Sequence, residues 1–171
     1  QVMENLRAAG GDGSDAEGAA VVAIDVKTGQ VLVCASYPTY DPSLFFQNYN
    51  QILEADYQPL VNRALGLAYP PGSTYKMSMV VTAINHGLIT QYTPITDYGV
   101  YKEYEASGYA PQCLWWTNYR QSHGTLTAAE ALRDSCNYFF YYLGDHLSIA
   151  KIDSVAKGLG LGEPTGVELY E

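Results

Sequence analysis

Apolar and polar positions alternate in blocks that predict a strand-rich opening followed by helices. Residues 21–26 and 30–35 are β-rich runs, and Lys27-Thr28-Gly29 lies between them. That pattern predicts a hairpin over about residues 19–36, with Gly29 supplying a positive φ in its turn. Further on, Pro70-Pro71-Gly72 breaks the chain, because prolines and glycine sit badly inside a helix. After Ser73, Thr-Tyr-Lys-Met-Ser-Met-Val-Val-Thr-Ala-Ile-Asn-His carries apolar residues at helical spacing, and Gly87 suits a helix-closing left-handed position. Three more helices are predicted at about residues 127–134, 137–147 and 149–157. Thr127 and Glu130 form a capping box at the first, Ser148 an N-cap at the last, and Lys157 a cation in its final turn. Residues 1–9 read as a short helix, 10–18 as a flexible Gly- and acid-rich loop, and 88–122 as irregular. The sum is an α+β chain.

Composition narrows the function classes. A chain of 171 residues holds one core, and its 47% apolar content is ordinary for a globular domain. A net charge of −9 argues against nucleic acid or anionic lipid as partner. No run reaches the length of a membrane helix. Several of the sixteen tyrosines cluster with Phe139 and Phe140, which predicts a packed aromatic core. Three cysteines do not make a disulfide framework. Cys34, in a strand, and Cys136, in a helix, are expected as buried thiols and Cys113 as a packing residue; a Cys113–Cys136 bridge stays open. His86, His123 and His146 lack Cys, Asp or Glu partners at metal-ligand spacing, so no metal site and no cofactor are expected.

The candidate chemistry lies at the helix break. Ser73 and Lys76 stand three residues apart, on one face of the predicted helix. The pattern Ser-x-x-Lys alone is weak: it also occurs at Ser148/Lys151 and Ser154/Lys157, where a short amphipathic helix explains it. Ser73 differs in context. Its helix is nearly all apolar apart from Lys76, so that lysine is drawn into low dielectric and loses proton affinity, as a general base requires. Ser73 also lies at the helix N-terminus, where the dipole favours a developing anion. A second constellation, Ser135-x-Asn137, follows the capped helix.

Together and in this order, Ser73-x-x-Lys76 and Ser135-x-Asn137 resemble the active-site motifs of penicillin-binding proteins. The resemblance runs over about residues 18–171. It takes in the hairpin, Asp41-Pro42, Asn62-Arg63-Ala64, Pro70-Pro-Gly-Ser-Thr-Tyr-Lys76, Cys113-Leu-Trp-Trp116, residues 131–141 and Gly158-Leu-Gly-Leu-Gly-Glu-Pro-Thr-Gly-Val-Glu-Leu169. These blocks are similar to class B enzymes of the penicillin-binding protein 2 type. The resemblance implies the penicillin-binding protein/serine β-lactamase-like transpeptidase fold: N-terminal helix, hairpin, nucleophile helix and all-helical subdomain. It implies a D,D-transpeptidase that crosslinks peptidoglycan stem peptides and is acylated by β-lactams. Ser73 would be the nucleophile, Lys76 its base, Ser135 a proton relay to the leaving group, and Asn137 a substrate-binding residue. It also implies an ectodomain on the outer face of the bacterial cytoplasmic membrane, with its membrane anchor outside this segment.

The family's third motif, Lys-[Ser/Thr]-Gly, belongs on a later strand. Lys27-Thr28-Gly29 spells it but precedes the nucleophile, and is expected to be a surface turn. No such triplet follows Asn137, so residues 1–171 are expected to be a truncated transpeptidase domain, with an open sheet edge that favours self-association. Two rivals share the fold: a serine β-lactamase, and a non-catalytic β-lactam-sensing or scaffold domain.

Overall fold

The turn at Gly29 forms as its sequence dictates. In the computed structural model, which describes residues 2–169, the Asp25 carboxylate accepts hydrogen bonds from the N–H groups of Lys27 (2.8 Å) and Thr28 (2.9 Å). Gly29 takes φ 74°, a left-handed value that costs a side chain energy and glycine little. The turn joins β1 (Ala19–Ile24) to β2 (Val31–Tyr37), antiparallel with Val21 opposite Ala35 and Val22 opposite Cys34. Lys27 is exposed, as expected of a turn residue.

This hairpin belongs to the first of two units, built from residues 2–69 and 164–169. The unit also holds α1 (Val2–Ala9) and the short α2 (Tyr49–Leu53). The expected first helix is thus present from Val2, and Gln1 lies outside the described residues. Residues 10–18 include one 3₁₀ turn, Gly11–Gly13. Ser36 ties β2 to the loop before the second unit: its hydroxyl donates to Val61 O (3.1 Å) and accepts from Arg63 N–H (3.0 Å). Cys34 is exposed, against the expectation of a buried thiol. The expectation assumed a covered sheet, and both faces of this two-stranded ribbon carry exposed apolar side chains.

The second unit, residues 70–163, carries the core. Its central helix, α3 (Lys76–Asn85), is entered through a 3₁₀ turn over Gly72–Tyr75. At its C-terminus Gly87 N–H bonds Ile84 O and Leu88 N–H bonds Ala83 O, the paired closure that stops a helix. Three helices follow as the periodicity predicts: α5 (Ala128–Arg133), α6 (Asn137–His146) and α7 (Ile149–Gly158). Glu130 accepts from Thr127 N–H at 2.8 Å, so the capping box closes. Ser148 caps α7, and Lys151 and Lys157 both face solvent.

Met79, Val80 and Ala83 of α3 pack with Phe139, Phe140 and Leu143 of α6 and with Ala131 of α5. Phe139 and Leu143 are fully buried, and Tyr138 and Tyr142 pack against the edge of this cluster. Other tyrosines, Tyr92, Tyr98 and Tyr109 among them, lie exposed, so the aromatic core is narrower than expected.

The stretch 88–122, expected to be irregular, is more ordered than its composition suggests. It contains β3 (Ile95–Asp97) and α4 (Leu114–Tyr119). β3 pairs antiparallel with β4 (Gly124–Leu126), so this unit is not all-helical. Gly99, at φ 84°, lets Trp116 approach so closely that a Cβ there would lie 2.2 Å from the indole.

Candidate active site

Ser73, Lys76, Ser135 and Asn137 converge. Ser73 lies in the 3₁₀ turn and Lys76 is the first residue of α3. Ser135 sits between α5 and α6 at φ 51°, and Asn137 opens α6. The left-handed backbone at Ser135 turns the chain sharply after α5; the Cys136 N–H returns to Ala131 O at 3.0 Å. That turn brings both polar side chains of the Ser-x-Asn motif to Lys76.

The ammonium has three protons, and three acceptors meet it. Lys76 Nζ donates to Asn137 Oδ1 (2.6 Å), Ser135 O (2.8 Å) and Ser135 Oγ (3.0 Å). Ser135 Oγ in turn donates to Ser73 Oγ at 3.0 Å. The link between Ser73 and Lys76 therefore runs through the Ser135 hydroxyl. The Phe140 ring lies 5.2 Å from Nζ, within cation–π range. Burial lowers the Lys76 pKa from its ordinary value, the direction the sequence predicts. Losing the proton requires one of the three acceptors to be released. Rotation of the Ser135 O–H does this without moving a heavy atom.

A second polar cluster lies next to Ser135 in sequence and was missed there. Asp97, Cys113, His123 and Cys136 bring one donor atom each within 4.8 Å of one another. Asp97 Oδ2 accepts from His123 N–H (3.1 Å) and Cys136 Sγ (3.5 Å) and lies 2.9 Å from His123 Nδ1; Asp97 Oδ1 accepts from Gly99 N–H (2.6 Å). Cys113 Sγ lies 3.6 Å from the same His123 nitrogen. Burial opposes the Asp97 carboxylate, but the N–H groups of His123 and Gly99 outweigh it and hold its pKa below the ordinary value. Burial pushes the Cys136 thiol up. All three cysteines are free thiols, so Cys113 and Cys136 are not bridged. The expectation of no metal site rested on His123 having no partners; the fold gives it three. One imidazole, one carboxylate and two thiols form a donor set suited to tetrahedral zinc. The local signal was slight: one His and two Cys spread over residues 113–136, all before α6.

A serine hydroxyl wired through a second serine to a desolvated lysine is equipped for serine acyl transfer. Comparison with known proteins places it further. Residues 19–171 match the penicillin binding protein transpeptidase domain, and the chain belongs to that family. It is similar to the peptidoglycan D,D-transpeptidase MrdA of Escherichia coli K12, 35% identical over 158 residues that cover 90% of this chain and 24% of the relative. Among solved structures, the penicillin-binding protein PBP2 of Helicobacter pylori superposes with a TM-score of 0.77 at 31% identity, over 86% of this chain and 28% of that one. Penicillin-binding protein A of M. tuberculosis, in its penicillin G acyl-enzyme complex, superposes at 0.70 with 28% identity, over 85% of this chain and 34% of that one. This chain thus spans about a quarter to a third of the length of these relatives.

Proposed function

We propose that this chain carries the nucleophile half of a peptidoglycan D,D-transpeptidase, with Ser73 as the residue acylated. The observation that carries the reading is the hydrogen-bonded line from Ser73 Oγ through Ser135 Oγ to Lys76 Nζ, closed by Asn137. Neutral Lys76 draws the Ser135 proton as Ser135 draws that of Ser73, and Ser73 Oγ attacks the carbonyl between two terminal D-alanines. The proton then returns through Ser135 to the departing D-alanine nitrogen. Asn137 Oδ1 is engaged by Lys76 and its amide also meets Tyr141, which leaves one Nδ2 proton for a substrate peptide carbonyl. The Ser73 N–H, in the first turn of its helix, is available to the tetrahedral oxyanion. An amine of a neighbouring stem peptide then takes the acyl group from Ser73. β-Lactams enter by the same attack and remain on Ser73. The substrate places this chemistry on the outer face of the cytoplasmic membrane.

The test is to label the full-length protein with a fluorescent penicillin, digest it and map the adduct. The expected label is on Ser73, lasting, and lost in Ser73→Ala. Labelling at Ser148 or Ser154 overturns the assignment. Rapid turnover of the adduct overturns the transferase in favour of a hydrolase. A lasting adduct with no transfer to any acceptor amine overturns it in favour of a sensor.

A further inference from the structure

On the flank of α6, about 100° around the helix from Asn137, lies a cleft that the acyl-transfer chemistry leaves unused. Its volume is about 420 Å³, and its walls include the rings of Tyr98, Tyr101, Tyr138 and Tyr142 and the carboxylates of Glu103 and Asp145. Three of the rings form a connected wall, and the fourth, Tyr142, stacks on the His146 imidazole, which also lines the cleft, at 4.1 Å between centroids. Tyr138 meets Tyr101 edge-on at 5.3 Å between centroids and Tyr98 at 6.2 Å. Tyr98 is 69% exposed, so one side of this wall faces solvent.

The two carboxylates of the cleft outnumber its one imidazole, His146, and Asp145 is held in place. Asp145 accepts from Tyr104 Oη and from Tyr101 Oη (2.7 Å). Two hydroxyls occupy two of the four acceptor positions of a carboxylate, which leaves the others for a ligand. These bonds also keep the Asp145 carboxyl ionised, with its pKa below the ordinary value. Among the described residues, neither Asp145 nor Glu103 has a Lys or Arg ion pair; the nearby Lys102 pairs with Glu105.

We propose that this cleft binds the alkylammonium group of a peptide side chain. The ammonium would sit against Asp145 and Glu103 and its methylene stem along the tyrosine rings. Ring faces attract cations electrostatically and cover methylene groups hydrophobically, and the two carboxylates fix the sign of the charge. A carboxylate or phosphate ligand would face two like charges. A purely apolar ligand would strip water from Glu103 and from the open acceptor positions of Asp145 and offer no hydrogen bond in exchange. The site does not depend on the acyl-transfer reading. Loss of acylation in Ser73→Ala tests that reading alone, and binding here should survive it.

The experiment measures binding of N-α-acetyl-lysine amide and of its neutral counterpart, N-α-acetyl-norleucine amide, to the full-length protein by saturation-transfer NMR. Both the free and the penicillin-acylated protein are used, so that the catalytic cleft is blocked in one arm. The lysine amide should bind at least about tenfold more tightly than the norleucine amide, equally in both arms, and weaken in about 0.5 M salt. Glu103→Gln, which alters an exposed side chain, should weaken it about threefold and Asp145→Asn by at least as much. Equal binding of the two amides overturns the proposal. So does full affinity in Glu103→Gln, or loss of lysine-amide binding on acylation.

Discussion

The hairpin unit and the helical unit solve the problem of burial differently. In the helical unit Phe139, Leu143 and Thr82 are completely enclosed. In the hairpin Val21, Ile24, Val31 and Leu32 each keep half or more of their surface in water. Two strands alone cannot cover either of their own faces, so such a ribbon is marginal by itself. The constellation proposed as catalytic belongs to the well-packed unit. Ser73, Lys76, Ser135 and Asn137 hang from the 3₁₀ turn before α3, from α3, from the turn before α6 and from α6, and the other faces of α3 and α6 form the core. The proposed chemistry is thus mounted where packing fixes the backbone.

The sharpest way to test this contrast is with two lysines, Lys76 of Ser-x-x-Lys and Lys27 of Lys-Thr-Gly. Lys76→Ala should lower acylation by a reporter penicillin by ~10²–10⁴, because the base is lost while the Ser73 hydroxyl remains. Lys27→Ala, in an exposed turn, should leave the rate within about twofold. A hundredfold loss at Lys27 would show that the turn reaches the active site. Stability gives the next test: Phe139→Ala should cost about 3–5 kcal/mol by denaturant unfolding, and Leu32→Ala, on the open ribbon, no more than ~0.5 kcal/mol. Amide hydrogen exchange should rank α3 and α6 above β1 and β2 in protection.

The buried quartet gives a third measurement. Zinc added to metal-stripped protein at a hundred times its Kd should stabilise it by ~2.7 kcal/mol, and the gain should vanish in His123→Ala. Smaller effects separate the glycines. Gly99→Ala, whose methyl would strike Trp116, should cost about 1–3 kcal/mol, and Gly29→Ala, in open space, about 1 kcal/mol for its positive φ alone.

The pH dependence follows from burial of Lys76. Its pKa is lower folded than unfolded, so between the folded value and the ordinary 10.5 the unfolded chain binds more protons. Stability therefore rises with pH through that window. The acylation rate should rise along the same limb, with a midpoint below the ordinary lysine value. A midpoint at or above that value would remove Lys76 as the base.

What the sequence disclosed was what local rules control. The turn at Gly29, the cap at Thr127 and Glu130, the closure at Gly87 and the break before Ser73 are set by residues a few positions apart, and each forms as predicted. The pairing of Ser135 and Asn137 with Lys76 was reachable only through the family resemblance, because no periodicity spans α3 to α6. Asp97, Cys113, His123 and Cys136 were illegible for the same reason: β3, the start of α4, the loop before β4 and the turn before α6 supply one donor each. The exposure of Cys34 was misjudged because alternation in a strand tells which residues share a face, not whether anything covers that face.

The left-handed backbone at Ser135 restricts which replacements can stand there. Threonine would keep the hydroxyl, but its branched Cβ resists φ 51°. Glycine and asparagine tolerate the angle but bring no hydroxyl. Of the two aliphatic hydroxyl residues, only serine suits both the shape and the chemistry. A change that looks conservative on a substitution scale should therefore be among the most damaging at this position.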